Sequence, residues 1–387
     1  MKIAHLADLH LGFRRYYRET ADGVNVREAD VALAFQRAIA DVIAQRPDVV
    51  LFAGDVCHRV RPPNGAIILL EDQLALLRRE LPDATIVMIA GDHDTPRENE
   101  TGFILPVARR FGIHVALVEP LVVPVDGGTI TAVPNAAITR MPAPPTGPGQ
   151  HVLCSHGDIA GYGAPAPQRG LDPDALERAG WAYVGLGHYH VSCGVRPRVF
   201  YAGALEYTST DVWGELRKES ELDLDGKGYL SVQLGAELPV VEFRPIGPAR
   251  RHLDLEPLDA TGMGVADIDA ALASRLNTID LDGACVRLVV REIPRDYKRA
   301  LNYAPIRQWK TRALDLHLDL RGPSNQGTRA ARQQMHRTLD EFVETVLGQR
   351  ELPPDIDRAA FVEKGLEYLK AAAATDESYS SGAEQQA

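Results

Sequence analysis

Cysteine is scarce in this chain, four in 387 residues, and Cys57, Cys154, Cys193 and Cys285 stand far apart with no Cys-x-x-Cys pair. That spacing excludes a zinc ribbon and gives no basis for a disulfide framework, so the thiols read as reduced packing residues of a cytoplasmic protein. No apolar stretch is long enough to span a bilayer, and no membrane partner is expected. The opening apolar run is cut at Asp8, too early for a signal peptide. No internal repeat is visible. Positive charge is also short overall: the net charge of −11 argues against a generally adhesive nucleic-acid binder. The shortage is uneven, however. From Arg287 to Arg337 there are 12 Lys or Arg against 4 Asp or Glu, a local balance of +8 that leaves −19 for the remainder. A basic segment inside an acidic protein points to a localised anionic partner, or to a solvated face.

What the chain does have is five short apolar runs, Lys2 to Ala7, Val49 to Ala53, Thr85 to Ala90, His151 to Cys154 and Tyr183 to Leu186. Each is followed at once by carboxylates or histidines: Asp8-Leu9-His10, Gly54-Asp55, Gly91-Asp92-His93-Asp94, Ser155-His156 and Gly187-His188-Tyr189-His190. The runs read as buried strands. In an open α/β sheet, ligands collect beyond the carboxyl ends of the strands. Five such endings in one chain name a chemistry as well as a fold. Two divalent ions need about four protein ligands each, and one carboxylate can serve both. A donor set of nitrogen and oxygen without thiolate favours Mn²⁺, with Fe²⁺ or Zn²⁺ as alternatives.

Between the strand runs, Asp30 to Gln45 and Gly65 to Arg79 carry apolar residues at helical spacing, the alternation of an α/β layered fold. Short β runs follow at Val115 to Val118, Leu121 to Val125 and Thr129 to Val133, with more after His190 at Val199 to Ala202, Tyr229 to Leu234 and Val240 to Phe243. A first domain is expected to close near Arg244. A second unit, 245–322, contains a helix at Asp267 to Leu276 and strands at Ala284 to Val290 and Ala313 to Leu320. Beyond Gly322-Pro323, amphipathic helices are expected around Met335 to Leu347 and after Asp357, which is placed to cap the second. The residues from 375 onward have the composition of a disordered tail.

The ordered motifs D8-L-H10, G54-D55, G91-D92-H93-D94, H156 and G187-H188-Y189-H190 resemble those of the calcineurin-like metallophosphoesterases. The opening DLHLG (Asp8 to Gly12), the run GDVCHRVRPP (Gly54 to Pro63) and YAGALEYTS (Tyr201 to Ser209) are similar to the SbcD-type nucleases, the nuclease subunits of the SbcCD double-strand-break repair complex. The likeness is strong over residues 1–244, moderate over 245–322 and weak over the tail. It implies two β-sheets flanked by helices, a small α+β cap domain that binds DNA, and a helix-loop-helix at 323–374 that grips an SbcC-type coiled-coil ATPase. A homodimer within a heterotetramer is implied too.

Carried over residue by residue, the resemblance implies one metal on Asp8, His10, Asp55 and His190 and a second on Asp55, Asp92, His156 and His188. His93 would face the scissile phosphate, with Asp94 orienting its ring, and His58 matches the histidine that marks the nuclease branch. Arg14, Arg15, Arg59 and Arg61 are candidate DNA contacts. His5, His114, His151, His252, His317 and His336 read as surface or satisfied histidines. One position departs from the pattern: the family asparagine before His93 is Asp92, which keeps the reach and adds a negative charge. The implied activity is metal-dependent DNA exo- or endonucleolytic hydrolysis at broken ends. The alternatives are a metallophosphoesterase for a smaller phosphoester and a catalytically weakened DNA-end-binding scaffold.

Overall fold

A computed structural model of the chain describes residues 1–97, 102–162, 170–235, 237–323, 347 and 357–368. The apolar runs become strands of two six-stranded sheets. The first holds β1 (Lys2–Leu6), β2 (Val49–Ala53), β3 (Thr85–Ile89) and β4 (His114–Ala116) in parallel, and β11 (Gly228–Gln233) and β12 (Val240–Pro245) extend it antiparallel beside β1. The second is built from β5 (Leu121–Val125), β6 (Gly128–Val133), β7 (Gln150–His156), β8 (Tyr183–Gly187), β9 (Cys193–Arg196) and β10 (Val199–Tyr201), in the order β5-β6-β7-β8-β10-β9.

Alternation along each strand decides the layers. Ile3, Val49, Leu51, Val87 and Ile89 face the second sheet, where they meet Ile130, Val152 and Tyr183. Their neighbours Leu6, Val50, Phe52 and Met88 face the helices α1 (Val26–Gln45) and α2 (Asn64–Glu80), through Phe35, Ile39, Leu70 and Leu74. Both faces are dry, which is why these strands read as unbroken apolar runs. Complete burial of leucines such as Leu70 and Leu74 contributes about 1.5–3 kcal/mol each. Trp181, Leu176 and Ile138 cover the outer face of the second sheet. The architecture is therefore the expected pair of sheets flanked by helices.

Helix α1 starts four residues before the expected Asp30. The Asn25 side chain accepts from the N–H groups of Arg27 and Glu28, and a polar first turn concealed the start. Arg27 is buried there because Asp30 at 2.6 Å and Glu206 at 3.0 Å neutralise it. A third sheet, β13-β14-β15, is parallel and contains β13 (His252–Asp259), β14 (Cys285–Arg291) and β15 (Asp315–Leu320), with α3 (Val265–Asn277) connecting the first two strands. Between the last two come α4 (Arg295–Ala300) and α5 (Tyr303–Arg312). Met1–Arg291 and Arg295–Arg321 form one compact unit. Inside it, Arg250 reaches Asp30 at 2.8 Å, and Arg18 donates to the carbonyls of Lys310 and Thr311.

The other unit is Glu292–Pro294 with Gly322–Ala387. In it residues 358–368 are helical, and Asp357 accepts from the N–H groups of Ala359 and Ala360 as its sequence position predicts. The helix expected from Met335 to Leu347 lies, except for Leu347, outside the described residues, as does the tail from 375. No helix among the described residues is long and apolar enough to cross a membrane.

Candidate metal centre

Strand ends from two different sheets meet at one place. Asp8, His10, Asp55 and Asp92 follow β1, β2 and β3 of the first sheet, while His156, His188 and His190 close or follow β7 and β8 of the second. The loops after β1 and β2 pair with each other: Asp8 N–H donates to Gly54 O at 3.1 Å, His10 N–H to Asp55 O at 2.9 Å, and His58 N–H to Leu11 O at 3.0 Å. Asp8, His10, Asp55 and His188 all adopt positive φ, at 52°, 48°, 51° and 102°. Non-glycine residues held there cost on the order of 1–3 kcal/mol each, and such strain gathers where a site demands a particular side-chain direction. Two glycines make room for the rings. At Gly54 a Cβ would collide with the His156 imidazole, and at Gly187 with the Ala53 carbonyl.

Three groups of ligand atoms result among the described residues, each within 4.8 Å: Asp55, Asp92, His156 and His188; Asp8, His10 and His190; and His10, His58 and His93. Asp55 lies between the first two, 3.5 Å from His156 Nε2 and 3.8 Å from His10 Nε2. The donor set fits cations. His156 Nδ1 donates to Ala53 O at 2.8 Å, so the other nitrogen, Nε2, points into the cluster, 3.0 Å from Asp92 Oδ1. His10 and His190 likewise present their Nε2 atoms to each other at 3.0 Å. Among the described residues no lysine or arginine pairs with Asp8, Asp55 or Asp92. The imidazoles stand in as the counter-charge: burial opposes it, yet Asp55, Asp92 and Asp8 push His156 up to about 10. Burial likewise opposes the ionised form of Asp92, but hydrogen bonds from His156 and His188 hold it well below the usual carboxylate range. Protons held on such ligands would be released on metal binding.

His93 and His58 stand beside the centre. Their rings stack at 5.1 Å, and His10 packs edge-on against both. His93 Nδ1 donates to His58 O at 2.8 Å, leaving Nε2 on the free side of the ring. Asp94, expected to orient His93, has backbone partners. Asp94 is buried and its carboxylate accepts from the N–H groups of Cys57, Gly91 and Val56 at 2.9, 3.0 and 3.1 Å. It ties the β3 loop to the β2 loop instead, because three backbone donors lie within its reach. The arginine expectations divide. Arg14 Nε is engaged by Glu28 at 2.6 Å and Arg15 Nη1 by Ser209 O at 3.0 Å. Arg59 lines a cleft of about 330 Å³ with Asp92 and His93, and Arg97 lines it too. Arg61 is exposed and is not among the residues that line this cleft.

Three residues were not foreseen. Asp158 Oδ1 lies 3.0 Å from His188 Nε2, and Glu215 Oε1 lies 3.4 Å from His190 Nδ1. Lys227, 2% exposed, holds Glu215 at 2.6 Å and donates to His190 O at 2.8 Å. Asp158, two residues past His156, could have been suspected from proximity. Glu215 and Lys227 carry no local signal.

Residues 1–193 match the model of the calcineurin-like phosphoesterase family, whose members bind a dinuclear metal site. Curated relatives include the DNA double-strand break repair protein Mre11 of Sulfurisphaera tokodaii, 26% identical over 62% of this chain and 62% of that protein. The Mre11 proteins of Methanococcus maripaludis and Aeropyrum pernix are 35% and 36% identical, over 26% and 24% of this chain and 25% and 21% of theirs. The chain thus spans less than two thirds of the length of each relative. A dimetal phosphatase structure from Danio rerio aligns with 64% of this chain and 97% of its own at 11% identity and a TM-score of 0.34, too slight a likeness to add to these.

Proposed function

We infer from the calcineurin-like phosphoesterase domain at residues 1–193 that the chain is a two-metal DNA phosphodiesterase acting at double-strand breaks. The observation that carries this reading is the meeting of seven acids and imidazoles from two sheets beside an arginine-lined cleft. Asp8, His10, Asp55 and His190 would hold one ion and Asp55, Asp92, His156 and His188 the other. Bound there, two divalent ions supply Lewis acidity and a nucleophilic water for in-line displacement at phosphorus. Mn²⁺ suits the donors best.

The chain's own residues do the rest. His93, its tautomer set by the His58 carbonyl, keeps Nε2 to hold a proton and deliver it to the leaving oxygen. The His58 ring, between His93 and Phe13, supports that placement and meets the DNA backbone. Arg59 and Arg97 are the contacts for flanking phosphates. The mode of attack on long DNA, the SbcC-type ATPase engaged by 323–374, the homodimer and the cytoplasmic setting belong to the same reading.

The test is manganese-dependent digestion of end-labelled linear duplex DNA. Digestion is expected in the chain as given and its loss in Asp8→Ala. Untouched duplex alongside hydrolysis of a small aryl phosphodiester would transfer the assignment to a smaller substrate. Cutting the chain at Ser324 should keep hydrolysis and abolish copurification with the ATPase; retained association would refute that partner segment.

A further inference from the structure

The two imidazoles after β8 are backed differently. His188 Nε2 faces Asp158, a half-buried carboxylate with no lysine or arginine paired to it among the described residues. His190 Nδ1 faces Glu215 at 3.4 Å, while the other oxygen of that carboxylate is held by Lys227 at 2.6 Å. Lys227 is itself buried, also pairs with Glu219 at 2.7 Å, and lies 4.6 Å from the centre of the Tyr207 ring. Tyr207 in turn donates to Glu219 at 2.6 Å. The lysine therefore competes with His190 for Glu215, and it pins the His190 backbone through the carbonyl.

We propose that Glu215 and Lys227 are positioning residues for His190 and that they make the two metal positions unequal. This rests on the two-metal reading above. A carboxylate behind an imidazole raises its basicity toward a metal, and loss of such a partner costs about 10- to 100-fold in affinity. Behind His188 the full charge of Asp158 is available. Behind His190 the carboxylate of Glu215 stands farther off, 3.4 Å against 3.0 Å, and shares Lys227 with Glu219, so its charge is answered in part and that ring is the poorer donor. The carboxylates nearest the metals are balanced, Asp8 in one cluster and Asp92 in the other beside the shared Asp55, so the difference lies in what stands behind the two imidazoles. The position of Asp8, His10 and His190 is therefore the looser and exchangeable one, filled second.

The test is a manganese titration of the full chain by calorimetry, with electron paramagnetic resonance reporting isolated ions at the first step and a coupled pair at the second. The expected result is two steps. Glu215→Gln weakens only the second, by about 10- to 100-fold, and Asp158→Asn weakens only the first. Glu215→Gln that leaves both steps unchanged, or weakens both alike, overturns the proposal. Should Glu215→Gln fail to fold, Asp158→Asn still decides, because weakening of the looser ion refutes the asymmetry. A parent chain that binds fewer than two ions refutes the two-metal reading itself, a result distinct from two equal steps, which refutes only this inference.

Discussion

Replacing Asp92 by asparagine removes one charge and keeps the oxygen in place. Asp92 Oδ1 is 3.0 Å from His156 Nε2 and 3.1 Å from His188 Nδ1. At 3 Å a pair of unit charges interacts by about 5 kcal/mol at an effective dielectric constant of about 20, and by about 1.4 kcal/mol in bulk water. The side chain is 35% exposed, which places the effect toward the screened end, about 1.5–3 kcal/mol, or roughly ten- to hundredfold. In Asp92→Asn the tighter manganese ion should dissociate that much more readily. In the metal-free protein, proton NMR should show the His156 ring titrating well below its value of about 10 in the parent chain. With manganese saturating, hydrolysis of bis(4-nitrophenyl) phosphate should rise by about two- to tenfold, because one less anion dampens the Lewis acidity of the pair. Unchanged affinity together with an unchanged rate would refute the view that this aspartate exchanges catalytic power for metal retention.

Three further predictions follow from other parts of the structure. His58→Ser should lower digestion of duplex DNA by about 10²-fold while hydrolysis of the small aryl diester persists, since the ring supports His93 but the carbonyl that holds it is backbone; parallel loss of both activities would contradict this. Gly187→Ala should destabilise the fold by about 1–3 kcal/mol in urea melts, because the added methyl meets Ala53 O and Ala7 inside the sheet interface; an unchanged midpoint would show that the sheets yield there. His5, whose Nδ1 lies 2.8 Å from Tyr183 Oη, is held by burial down to about 3, so below pH 6.5 the unfolded chain takes up a proton that the fold refuses. Stability of the metal-free protein should fall as pH drops from 6.5 toward 3, and His5→Asn should reduce that slope by about 1.4 kcal/mol per pH unit; an unaltered slope in chelator-treated samples would assign the acid sensitivity to other groups.

Run length, apolar content and the residue that ends a run are local properties, and from them the strands and their acid- and histidine-bearing ends were legible. Asp8, Asp55 and His188 could be named because each stands just past an apolar segment that has only one way to be buried. Local reading failed where charge was buried. The first turn of α1 passed for a loop because Arg27 is polar, and only the distant Glu206, joined by Asp30, makes its burial tolerable. Asp94 appeared to belong with His93, one residue away, until the fold brought the N–H groups of Val56 and Cys57 to it. Which runs share a sheet, how the two sheets face each other, and that Glu215 and Lys227 stand behind His190 were decided by tertiary structure alone. Those outcomes depend on contacts between segments far apart in the chain, whose free energy is set by packing and desolvation and not by any neighbouring residue.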